Sequence, residues 1–206
     1  MEKRDFLLEI GMEELPPSHF MPARDWLQAS FEAFISENRL SCDKLLVSGT
    51  PRRFFVLAHG IPILQPDIVL ERTGPSVNIA YKDGELTPAA LGFLKKNNAS
   101  PEDVQIQNTP KGDFLFLSIK QKGKEAQELL RAWSQSLLEA IPFAKKMIWE
   151  YKDLSFSRPV RWLCALFGDE VLELKNHAIP SGRISYANRH LGLDKAFEIP
   201  QPNAYL

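Results

Sequence analysis

Apolar residues recur along this chain in two rhythms. Phe6 to Ile10 is a short apolar run, ended by the acidic turn Gly11 to Glu14 and by Pro16-Pro17. From about Ser18 to Arg39, the residues Phe20, Trp26, Leu27, Phe31, Phe34 and Ile35 fall near a helical period. Leu45 to Val47 and Phe54 to Ala58 read as strands on either side of Gly49-Thr50-Pro51-Arg52-Arg53, and Ile68 to Glu71 as another, ended by Gly74-Pro75. Thr87-Pro88 is a helix start, because Thr can cap free amides and Pro suits the first helical position; that helix should run to about Asn97. Ser100-Pro101-Glu102-Asp103 repeats the signal for a shorter turn. Phe114 to Lys120 reads as a strand, and Lys124 to Ala140 as an amphipathic helix with Leu129, Leu130, Trp133, Leu137 and Leu138 on one face. Trp162 to Phe167 and Val171 to Leu174 flank Gly168-Asp169-Glu170 as a hairpin. Strands and helices mix without regular βαβ alternation. The expected fold is therefore α+β, a mixed, largely antiparallel sheet packed with a few helices.

The 206 residues suffice for one large domain or two small lobes, and neither an internal repeat nor a linker-like stretch divides them. The 44% hydrophobic and 25% charged fractions are those of a globular chain and exclude a disordered one. Two cysteines, Cys42 and Cys164, exclude a disulfide scaffold. Met1 leads into Glu2-Lys3-Arg4-Asp5 and not into an apolar signal core, and no apolar run approaches the roughly 20 residues that span a bilayer. The expectation is a cytoplasmic protein without membrane contact.

Net charge is −1, but it is unevenly spread. Residues 1 to 43 hold nine acids and four bases, while Ile141 to Leu166 holds five bases and two acids. Such asymmetry is compatible with a side that faces nucleic acid, though ordinary solvated faces are its commoner cause.

Catalytic signatures are missing. There is no phosphate-binding glycine loop, no HExxH or CxxC spacing, no G-x-S-x-G elbow, and the four histidines (His19, His59, His177, His190) are scattered. Glu150, Asp153 and Glu170 are near one another only in sequence, which is weak evidence for acid–base chemistry. No catalytic residue and no metal ligand is assigned.

Four segments nevertheless stand out. EIGMEELPP, residues 9 to 17, puts acids just before an expected helix, where they suit the helix dipole. TPRRFFVL, residues 50 to 57, projects two adjacent guanidinium groups at the head of a strand. Strand neighbours point to opposite faces, so one of Arg52 and Arg53 must find a carboxylate, a carbonyl or a phosphate. ERTGPSV, residues 71 to 77, sets Arg72 before a Gly-Pro turn. Residues 145 to 172 interleave Lys145, Lys146, Arg158 and Arg161 with Trp149, Tyr151, Phe156 and Trp162. Bases beside aromatic faces make an RNA-contacting surface, or else aromatics in a core with bases at its rim.

Together these segments resemble the N-terminal region of the beta-subunit family of bacterial two-subunit glycyl-tRNA synthetases. LLEIGMEELPP is similar to that family's LLxEIGTEELPP, with Met12 where Thr is usual. GTPRRFFVLAHGI resembles its TPRRLAV strand, ERTGPSVNIAY its RGP segment, and LTPAALGFLKKN its T-x-A-A-x-G-F helix. KGDFLFLSIKQKGKEAQELL resembles the next strand and helix, and KKMIW and FSRPVRWLCALFGDEVL resemble K-x-M-R-W and F-x-R-P-V-x-W-L. The likeness runs in order from about Phe6 to Leu206. It departs at Ser185 to His190, where T-x-G-H-R-F is usual and only Arg189 is kept.

The resemblance implies that residues 1 to 206 are the N-terminal region of a longer chain, either a separate beta subunit or an alpha–beta fusion. It implies a heterotetrameric glycine–tRNA ligase in which the alpha subunit forms glycyl-adenylate with ATP and Mg²⁺. The present region would bind no cofactor and would support tRNA(Gly) binding and assembly with the alpha subunit. Arg52, Arg53, Lys145, Lys146, Arg158, Arg161 and Arg189 are its candidate RNA-binding residues. Two alternatives stand beside this reading. One is an editing-type aminoacyl-tRNA deacylase, for which His177, His190 or Thr50 would have to position water. The other is a purely structural interface domain.

Overall fold

The structure, a computed structural model, describes residues 2–82, 84–110, 112–149, 154–174, 179–187 and 195–206. The chain opens with β1 (Lys3–Met12), α1 (Pro17–Glu37), β2 (Lys44–Thr50) and β3 (Arg53–Pro62). It continues through β4 (Ile68–Ser76), α2 (Val77–Ala80), β5 (Tyr81–Lys82), β6 (Glu85–Leu86), α3 (Pro88–Lys96), β7 (Val104–Thr109) and β8 (Gly112–Gln121). It ends with α4 (Ala126–Ala140), β9 (Met147–Ile148), β10 (Ser155–Phe156), β11 (Val160–Phe167), β12 (Glu170–Val171), β13 (Ser181–Gly182), β14 (Ile184–Tyr186) and β15 (Ala196–Glu198). The fold is α+β with mostly antiparallel sheets. Two compact units result: 1–65 with 124–206, and 66–123. Among the described residues, no helix is long and apolar enough to cross a membrane.

The larger unit is built on a sheet of order β12-β11-β1-β3-β2, with β13 joining β11 in parallel. The central strand β1 is antiparallel to both neighbours. Its side chains alternate between two buried faces. Phe6, Leu8, Ile10 and Met12 point to the helix side, with Phe54, Val56 and Ala58 of β3 and Leu163, Ala165 and Phe167 of β11. There α1 contributes Ala23, Leu27, Phe31 and Phe34, and α4 contributes Leu130, Trp133, Leu137 and Leu138, at the three-to-four spacing of one helical face. Phe6 stacks on Phe31 at 5.7 Å, and Trp133 meets Phe31 edge-on at 5.0 Å while its Nε1 donates to Ser30 Oγ. Each buried ring contributes about 1.5–3 kcal/mol of transfer free energy.

Leu7, Phe55, Leu57, Cys164 and Leu166 point the other way, under Ile199 and Tyr205 of the last segment. An antiparallel sheet commonly leaves one face to water. This one is covered on both, which places Glu9, the polar residue of β1's second face, in the interior.

The smaller unit is a three-stranded antiparallel sheet of order β4-β8-β7 with α3. Thr87 caps α3 by accepting from the Ala90 amide, and Pro88 takes the first turn. Ala80, Ala90 and Leu115 form its core.

Three sequence expectations change. Gly74-Pro75 does not end β4, which runs on to Ser76 with a register shift between Thr73 and Ser76. The expected strand Val171 to Leu174 is only Glu170–Val171, because Leu174 N turns away to donate to Ser181 Oγ at 2.8 Å. The strand β7 (VQIQNT) was not expected. Its side chains are mostly exposed, so the sequence carries too few apolar residues to mark it.

Candidate functional site

Near the end of β1, Gly11 lies between Arg53 of β3 and Trp162 of β11. A Cβ at Gly11 would sit 1.9 Å from the indole, so only glycine lets Trp162 lie flat across the strand. The indole Nε1–H then donates to Glu9 Oε1 at 3.0 Å. Ser185 Oγ donates to the same oxygen at 3.0 Å, and Arg53 Nη1 stands 3.0 Å from it. The Tyr205 phenol lies beside Glu9 and Arg53, close enough to feel the charge of both.

Glu9 is completely buried. Burial pushes its carboxyl above the ordinary range, against the opposing pull of the Arg53 charge and of the Ser185 and Trp162 hydrogen bonds. Arg53 in turn donates to Ser185 Oγ and to the Tyr186 carbonyl, and its guanidinium lies 5.5 Å over the Trp162 ring. One buried carboxylate thus holds Arg53, Trp162 and Ser185, side chains from three parts of the chain.

A second pairing lies beside it. Glu13 accepts from Arg161 Nε at 2.7 Å and stands 3.7 Å from Arg52 Nη2. Backbone bonds clamp the same turn: Met12 N to Arg52 O, Leu15 N to Pro51 O and Glu13 N to Pro159 O. Above these pairs opens a cavity of about 750 Å³ whose walls include Arg52, Arg53, Trp162, Tyr186, Phe197 and Tyr205. A smaller recess of about 270 Å³ adjoins Glu13, Arg161 and Trp162.

The family model described as glycyl-tRNA synthetase beta subunit matches residues 6–206. The chain belongs to that family. A glycine–tRNA ligase beta subunit of Synechocystis sp. is 41% identical over 175 residues, which is 85% of this chain and 24% of the relative. The beta subunit of Clostridioides difficile is 36% identical over 92% of the chain and 28% of its own length, and that of Trichodesmium erythraeum 38% over 98% and 28%. The chain therefore spans about a quarter of the length of these relatives.

Within this family member, three of the four segments singled out in the sequence meet at one place. EIGMEELPP supplies Glu9, Gly11 and Glu13, TPRRFFVL supplies Arg52 and Arg53, and the basic–aromatic segment supplies Arg161 and Trp162. ERTGPSV lies in the other unit, with Arg72 exposed on β4. Arg158 is half-buried, and its Nε has no hydrogen-bond partner. Lys146 donates to the Glu139 carbonyl near the end of α4, and Lys145 is exposed. Arg189, His177, His190, Glu150 and Asp153 lie outside the described residues. Thr50 lines the cavity, where its Oγ accepts from Arg52 N. Glu170 pairs with Arg4 and Gln127, and that bonding holds its carboxyl below the ordinary range. His19 meets Ser157, and His59 meets Asp5. Among the described residues no three metal-binding side chains gather.

Sequence reasoning did not single out Glu9, Ser185, Tyr186, Phe197 or Tyr205 as site residues. Glu9 carried a usable signal, a carboxylate within the apolar run FLLEIGM. The other four did not, because only the returning chain brings them over the sheet.

Proposed function

We propose that this chain is the N-terminal module of the beta subunit of a glycine–tRNA ligase, supporting tRNA(Gly) binding and assembly with the alpha subunit. Glycine, ATP and Mg²⁺ are handled by the alpha subunit, where the adenylate forms, and the whole enzyme works in the cytoplasm. The observation that carries this reading is the family match along residues 6–206. The site supports a scaffold role for two of the candidate residues. Arg52 and Arg53 each stand against a carboxylate and brace the turn after β1. Of the candidate residues, Lys145, Lys146 and Arg158 make no ion pair among the described residues and are the ones available to RNA phosphates, and Arg161, although paired with Glu13, keeps 49% side-chain exposure.

The cavity gives the deacylase reading one point of support: the Thr50 hydroxyl and the Glu14 and Glu198 carboxylates stand in its walls, while among the described residues neither histidine nor cysteine joins them.

The test uses the complete two-subunit ligase. Lys145→Ala with Lys146→Ala and Arg158→Ala should weaken tRNA(Gly) binding and glycylation while glycine-dependent ATP–pyrophosphate exchange persists. Loss of about two phosphate contacts should flatten the slope of log affinity against log salt by roughly 1.5–2. Undiminished charging by the folded variant would refute the assignment. Hydrolysis of mischarged tRNA by the complete ligase, lost with Thr50→Ala, would favour the deacylase.

A further inference from the structure

The large cavity carries more than a scaffold requires. Its volume, about 750 Å³, lies within the span of small-molecule and cofactor pockets, roughly 300–1,000 Å³. Tyr186 and Phe197 line it from the paired strands β14 and β15, yet they remain 36% and 50% exposed. The Tyr186 ring is 5.0 Å from that of Trp162, at 55°. Trp162 is pinned by Glu9, and the Tyr186 carbonyl is held by Arg53. Bonds to Glu9 and Arg53 thus fix Trp162 and the Tyr186 backbone, while the Tyr186 and Phe197 rings face solvent.

The charge at the cavity argues about the guest. Arg52 and Arg53 are balanced by Glu14 and Glu198 in the same walls, with Glu9 and Glu13 against the two guanidinium groups. A cavity without excess positive charge is a poor place for a phosphate. It suits a planar, uncharged group that stacks. Glu14 and Glu198 are exposed and make no ion pair among the described residues, so their carboxylates are free to accept hydrogen bonds.

We infer that this cavity takes one unstacked nucleobase of an RNA strand, stacked on Tyr186 and Phe197, with an exocyclic amino group directed at Glu14 or Glu198. The inference rests on the reading that the chain handles tRNA. It adds that the module reads a base here, while the lysines and Arg158 meet the backbone. Bases bearing an amino group, adenine and cytosine among them, are favoured over uracil, which has none.

Tyr186→Ala with Phe197→Ala should leave the fold intact, because both rings are exposed and Tyr186 bonds to Arg53 through its backbone. The probes are tRNA(Gly) and fluorescein-labelled heptaribonucleotides of adenosine, cytidine or uridine, titrated by anisotropy into the complete ligase. The aromatic variant is expected to weaken the adenosine and cytidine strands and tRNA(Gly) about 5- to 100-fold, the range for losing base–aromatic stacking. Its salt slope should match the wild type, and the uridine strand should bind the wild type more weakly than the other two. If the lysine–arginine variant loses tRNA while the aromatic variant, folded by circular dichroism, binds every probe as the wild type does, the base pocket is refuted and the tRNA reading stands. If neither variant changes tRNA affinity, both fail. A drop in the salt slope of the aromatic variant would make the rim a phosphate site and overturn the inference.

Discussion

Replacing Arg53 by Met removes the counter-charge of a carboxylate that has no access to water. At 3.0 Å and an effective dielectric of about 20, the pair attracts by about 5 kcal/mol. Removing one partner of a buried pair typically costs about 3–5 kcal/mol, because the other charge is left uncompensated. Arg53→Met also forfeits the bonds to Ser185 Oγ and the Tyr186 carbonyl. A loss of about 3–5 kcal/mol at pH 7.5 is therefore expected in urea denaturation followed by tryptophan fluorescence.

The pH dependence separates charge from packing. Burial already raises the Glu9 carboxyl above its ordinary value, and Arg53 is the leading opposing cause. Without it the carboxyl rises further. A folded acid with a raised pKa keeps a proton that the unfolded chain releases. Its stability is fully present below the ordinary carboxylate range and is lost as pH rises through the raised value. The deficit of Arg53→Met relative to wild type should accordingly shrink on acidification, by up to about 1.4 kcal/mol per pH unit within that window. The double variant Glu9→Gln with Arg53→Met should recover much of the loss and show little of this pH dependence. A deficit equal at pH 5 and pH 8, or a double variant no more stable than Arg53→Met, would refute the buried pair as its source.

Gly11→Ala places a methyl where Trp162 lies, and overpacking of this kind costs about 1–3 kcal/mol. Denaturation midpoints and the indole emission should both shift, and unchanged emission would show that Gly11 does not set the Trp162 position. Burial pushes the Cys164 thiol up to about 12, and the Cys42 thiol is raised by the same cause. Alkylation by iodoacetamide at pH 8 should be slow at Cys164 until urea unfolds the chain, and prompt modification in the native state would contradict its burial.

Much of the local architecture is legible in residue order. The helical spacing of Leu27, Phe31 and Phe34 marks α1, the Thr87-Pro88 start marks α3, and the apolar runs at Phe6, Phe54 and Trp162 mark the three central strands. The adjacent guanidinium groups at Arg52 and Arg53 signal that one must find a polar partner indoors. What they do not reveal is which partner. That depends on a register in which Gly11 faces Arg53 on one side and Trp162 on the other, 42 and 151 residues away along the chain.

Period and capping chemistry are properties of neighbours in sequence, so the chain alone determined its three longer helices, its main strands and its family. The second covered face, the burial of Glu9 and the cavity walled by Tyr186, Phe197 and Tyr205 arise between residues far apart in sequence. Only tertiary packing decided them, because a carboxylate, a guanidinium and an indole acquire a shared purpose when water is removed from around all three at once.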